Sequence, residues 1–207
     1  MRGLANPDSK IFSLLNKFAL LMELNILVLL CCLPVVTAGA ALCSMHAVLL
    51  KIYRNEEKHI FSDFFQAMKD NLKNGTLLWL LFLGYLGVLT GLWFLLGSQS
   101  SVFVLFLLLL AGVLGALYLN WALILLSRYV YTVPQCLKYA LLAWLQYPGS
   151  TFIYLIAIAL PLLLCCSLTT LPLVLLVGIT LPNIISTTLY SRVFNNMEGI
   201  PDKLPEL

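Results

Sequence analysis

Residues 24–50 read LNILVLLCCLPVVTAGAALCSMHAVLL, a run of 27 residues without a charged side chain. Its centre, Leu33-Pro34-Val35-Val36-Thr37, decides how often it crosses a bilayer. Proline removes a backbone donor and clashes with the preceding helical turn, and Thr37 is a suitable N-cap for a helix starting at Ala38. One helix from Phe18 to Leu50 would be about 50 Å long at roughly 1.5 Å per residue, well beyond a hydrocarbon core of about 30 Å. The run therefore predicts two helices, 10–33 and 38–54, joined by a tight turn.

The rest of the chain is of the same kind. Of its 207 residues 61% are hydrophobic and 10% charged, with a mean hydropathy of +0.98. Soluble domains are about 45–50% apolar and about 25% charged, so the composition is that of a polytopic membrane protein whose first partner is the lipid bilayer. A net charge of +3 from scattered basic residues excludes a nucleic-acid partner. Cys31-Cys32 and Cys165-Cys166 are adjacent pairs and Cys43 and Cys136 stand alone, which is no metal or redox spacing; no cofactor is implied. Lys10, Lys17, the apolar residues that follow and Ala38-Gly39-Ala40 imitate a secretory signal. Glu23 and Asn25 interrupt its core, so the segment reads as a retained first helix.

Two further uncharged blocks, 74–127 and 139–191, are each too long for one crossing. Polar tracts divide them at Gly97-Ser98-Gln99-Ser100-Ser101 and Ser167-Leu168-Thr169-Thr170, predicting helices 77–97, 102–126, 150–166 and 171–190. The fold class is all-α, a transmembrane bundle of six helices, with five as the alternative. Turns at 34–37, 97–101 and 167–170 carry no charge while the lysines and arginines gather at the other ends. The positive-inside rule then places both termini in the cytoplasm.

Two inner connections are amphipathic. Ile60, Phe61, Phe64, Phe65, Met68 and Leu72 form one apolar face, and Val133, Cys136, Leu137, Ala140, Leu141, Trp144 and Leu145 repeat the pattern, as in helices lying in the interface. Each leads through a breaker, Gly75 or Pro148-Gly149, into a hairpin. The single domain 1–207 therefore divides into an N-terminal hairpin, 10–54, and two parallel repeat units, 61–126 and 134–192. Gly87 with Gly91, Ala111 with Gly115 and Gly112 with Ala116 offer small faces for helix packing or for a homo-oligomer.

No soluble-enzyme signature is present, so the expectation is a protein without catalysis. The sharper signal is polarity at membrane depth. Counting about 1.5 Å per residue from the outer turns, Glu23 lies about 16 Å deep, Asn25 about 13 Å, His46 about 12 Å and Asn183, after Pro182, about 18 Å. A charged group there costs about 2.5–3.5 kcal/mol and faces inward to a partner. These four residues form the candidate midplane binding cluster, either for a solute, ion or proton, or as hydrogen bonds that pin helices together.

Leu24-Asn25, Cys32-Leu33-Pro34-Val35-Val36-Thr37-Ala38-Gly39 and Phe61-Ser62-Asp63-Phe64-Phe65 with Lys69 and Asn71 resemble the YesL family of small bacterial membrane proteins, mainly over residues 6–80. The Leu-Pro-x-x-Thr-x-Gly turn is the most specific element. The resemblance implies a multi-pass protein of the bacterial cytoplasmic membrane, of largely uncharacterised role, commonly encoded beside carbohydrate ABC importers. It points to an accessory or regulatory subunit whose partners are importer permease subunits. The alternative is a small solute or ion transporter or channel in its own right, using the midplane cluster. The glutamate-alanine-alanine loop by which importer permeases dock their ATPase is absent from the sequence.

Overall fold

The computed structural model describes residues 10–54, 56, 59–96, 102–164 and 178–198. Among them the chain is all-helical, with no strand: α1 (Lys10–Cys32), a 3-10 turn (Val35–Thr37), α2 (Ala38–Arg54), α3 (Ile60–Leu96), α4 (Val102–Arg128), α5 (Val133–Gln146), α6 (Pro148–Leu164) and α7 (Thr180–Glu198). Four helices are long and apolar enough to cross a membrane, or five if the bent α5–α6 pair counts as one span. Helix α7, rich in hydroxyl and amide side chains, is not among them. The turns expected at 97–101 and 167–170 lie outside the described residues.

The α1–α2 break falls where proline requires it. Thr37 closes it differently from the N-cap expectation: its hydroxyl donates to the carbonyls of Cys31 (2.9 Å) and Pro34 (3.0 Å). It thereby occupies the Cys31 carbonyl, which is left open where the helical ladder of α1 stops.

The segment 60–73 is not a separate interfacial helix. It forms the first turns of α3, which runs for 37 residues, about 55 Å at roughly 1.5 Å per residue. Gly75 does not break it. A Cβ on Gly39 would overlap the Gly75 carbonyl and Trp79 Cβ, and one on Gly75 would stand 3.0 Å from Ala40 Cα, so the two glycines let α2 and α3 touch backbone to backbone. Twelve residues away on each helix, Lys51 Nζ pairs with Asp63 Oδ1 at 2.6 Å. These two points fix an antiparallel register.

That register corrects the expected layout. Leu96 lies 21 residues beyond Gly75, about 30 Å along the helix, so the tip of the α1–α2 hairpin and the tip of the α3–α4 hairpin do not share one surface. The α1–α2 hairpin runs beside the half of α3 that carries Lys69, Asp70 and Lys73, not beside its apolar half.

The second unit is built unlike the first. Helix α5 lies lengthwise on α4 rather than flat in an interface: Cys136 Sγ donates to Ala122 O (3.0 Å) and Tyr118 OH to Leu137 O (2.7 Å). Tyr147 precedes proline, which disfavours helical backbone, and the chain bends by 93° into α6. Of the small faces, Gly115 accommodates the ring of Tyr85, whereas Gly87 and Gly91 have nothing within 4 Å. Two cores result, one of α1, α2 and α3 around Leu24, Met45 and Phe64, the other of α4, α5 and α7 around Trp121 and Tyr190.

Candidate functional site

Between the two cores runs a seam of buried polar side chains. It contains Asn25 of α1, Ser44 and His46 of α2, Asn120 of α4, Thr151 of α6, and Thr180, Asn183, Ser186, Thr187 and Ser191 of α7. Helix α7 supplies half of these because its hydroxyl and amide residues recur at helical spacing on the face turned into the bundle.

One end of the seam holds the start of α7. The first N–H groups of a helix have no partner within it, and buried they must find one. Asn25 Oδ1 accepts the N–H groups of Ile179 (3.3 Å) and Thr180 (3.2 Å), while Thr180 Oγ1 donates to Leu21 O (3.2 Å). Asn183 Nδ2 donates to Ile179 O (2.7 Å), and Tyr154 OH donates to Asn183 Oδ1 (3.0 Å). Thus α1 and α6 clamp the same turn from two sides.

One to two turns further along α7, His46 Nδ1 and Thr187 Oγ1 share a hydrogen bond of 3.1 Å. Asn120 lies within electrostatic reach of both His46 and Tyr190. The Tyr190 ring stacks on Trp121 at 3.8 Å, and Trp121 Nε1 donates to Thr151 Oγ1 (2.9 Å). Asn120 Nδ2 and Tyr190 OH are buried and make no hydrogen bond of ordinary geometry. At the far end Arg128 donates to Asn195 Oδ1 (2.9 Å) and Ser191 O (3.4 Å).

The structure brings together three of the four expected residues. Asn25 and Asn183 meet through Ile179, and His46 joins the same helix at Thr187. Glu23 does not join them. It is exposed on α1, with no hydrogen-bond or ion partner among the described residues. The reason is helical geometry: Asn25 and Leu24 point into the bundle, and about 100° per residue carries position 23 out of it. Asn120, Thr151, Tyr154, Thr187 and Tyr190 were not anticipated. Asn120 could have been, as the one asparagine between 102 and 127.

An all-helical membrane protein with a neutral polar seam is the class that this geometry defines. Residues 21–91, spanning most of α1, all of α2 and most of α3, match the family model described as a protein of unknown function, DUF624. No curated protein and no solved structure matches the chain.

Proposed function

We propose that the chain is a non-enzymatic accessory subunit of the bacterial cytoplasmic membrane, both termini cytoplasmic, serving a carbohydrate ABC importer. The observation that supports an accessory role is that no Asp, Glu, Lys or Arg is buried among the described residues and that the buried His46 is hydrogen-bonded to Thr187 of α7. A carrier that couples an ion or proton to transport keeps ionisable groups facing its interior. Here Asn25, Thr180, Asn183 and Thr187 tie α1, α2 and α6 to α7. The importer link is what the YesL resemblance implies.

The test is co-purification. The protein should bring down sugar-importer permease subunits in detergent, and its deletion should lower uptake of one oligosaccharide while leaving others unchanged. Unchanged uptake of every sugar together with an empty pull-down would remove the proposal. A second reading, a small solute transporter, is favoured by one observation: Asn120 lies within reach of His46, and its buried Nδ2 makes no hydrogen bond of ordinary geometry.

A further inference from the structure

Glu23 is a carboxylate set among apolar residues on the described surface. Along α1 the exposed residues Asn16, Ala19, Glu23, Ile26 and Leu30, with Leu33 just past its end, follow at alternating intervals of three and four. That is the spacing of a seam packed against another helix. The opposite face of α1, with Leu21, Leu24 and Val28, is buried. The seam is thus the face that α1 leaves uncovered, and Glu23 lies within it.

Height decides what covers it. Glu23 is nine residues before the end of α1 and Ala47 nine after the start of α2, so the hairpin sets them level. The register fixed by Lys51–Asp63 and Gly39–Gly75 carries that level to Ala67 of α3. Exposed Lys69 stands about 3 Å further along the axis, with Asp70 and Lys73 beyond it, also exposed. The apolar seam of α1 and the charged face of α3 therefore occupy one height. A hydrocarbon boundary across the bundle either strands the lysines in lipid or leaves Ile26, Leu30 and Leu33 in water.

We infer that a second copy of this chain resolves the conflict, with the α1 seam of each protomer packed on the first half of α3 of the other and Glu23 set against the partner's Lys69. Helices α1 and α3 run in the same direction, so a twofold axis along the bundle brings residues of equal height together and makes the contact twice. Exposed Phe61, Phe65 and Leu72 of α3 supply an apolar surface for Ala19, Ile26 and Leu30. Pairing α1 with α1 instead would oppose two carboxylates, which costs one of them its charge. The ion pair fixes register and orientation, as complementary charges do at interfaces. This dimer does not depend on the importer reading.

The experiment is a charge swap on the full chain in lipid nanodiscs, with stoichiometry read by single-molecule photobleaching. The wild type should be dimeric. Glu23→Lys and Lys69→Glu should each weaken dimerisation about tenfold or more, and the double variant should recover it. Both positions are exposed on the protomer, so all three variants should keep the helical circular-dichroism spectrum of the wild type. A monomeric wild type, a dimer indifferent to either reversal, or a double variant that stays monomeric would overturn the inference.

Discussion

Gly39 of α2 and Gly75 of α3 are in backbone contact: a methyl group on Gly39 would overlap Gly75 and Trp79, and one on Gly75 would be crowded against Ala40. The contact sits at one end of the α2–α3 interface and the Lys51–Asp63 pair at the other. Gly39 is also the glycine that ends the Leu-Pro-x-x-Thr-x-Gly turn.

Gly39→Ala should therefore destabilise the protein by about 1–3 kcal/mol, the usual cost of overpacking. Gly75→Ala should act in the same direction. Gly87→Ala and Gly91→Ala, with open space around them, should be neutral or slightly stabilising, since alanine is the better helix former by up to about 1 kcal/mol. Thermal unfolding in detergent reads all four. Equal losses at Gly39 and Gly87 would show that the crossing is not the cause.

Asn25→Leu should cost about 1–3 kcal/mol, because it removes the side-chain oxygen to which the Ile179 and Thr180 N–H groups donate. The start of α7 should lose protection first, which hydrogen exchange at 179–181 measures. Glu23→Gln, two residues away and exposed, should leave monomer stability unchanged.

At Tyr190 the ring and the hydroxyl contribute unequally to stability. Its hydroxyl has no hydrogen bond, so Tyr190→Phe should match or exceed the wild type in melting temperature. Tyr190→Ala should lose about 3–5 kcal/mol through the cavity left against Trp121. Trp121→Phe, which frees Thr151 Oγ1, should fall between them.

The class and the helices nearest the N-terminus could be read from the chain because bilayer thickness and proline act locally: 10–33 and 38–54 fall within a residue of α1 and α2. The register of α2 on α3 could not. It depends on Gly75, which reads as a breaker alone and becomes a contact only when Gly39 is brought to it. Charge-free turns suggested a shared surface for 34–37 and 97–101, yet absence of charge does not give height. Depth counting found Asn25, His46 and Asn183 but not direction around the helix, and so it included Glu23.

The offset between the hairpin tips is measurable directly. Nitroxides at Val36 and Leu96 should lie about 30 Å or more apart by pulsed electron resonance, given 21 residues of helix beyond Gly75. Two tips side by side on one surface, within about 15 Å, would contradict the register of α2 on α3.

We propose that the polar seam holds helices together and moves nothing. Purified protein reconstituted in liposomes measures this most directly, with flux of labelled oligosaccharides and of protons followed in parallel. No flux above empty liposomes is the predicted result, for the wild type and for His46→Ala alike. Uptake by the wild type that His46→Ala or Asn120→Ala abolishes, with the variant still folded, would contradict it and assign the seam to transport.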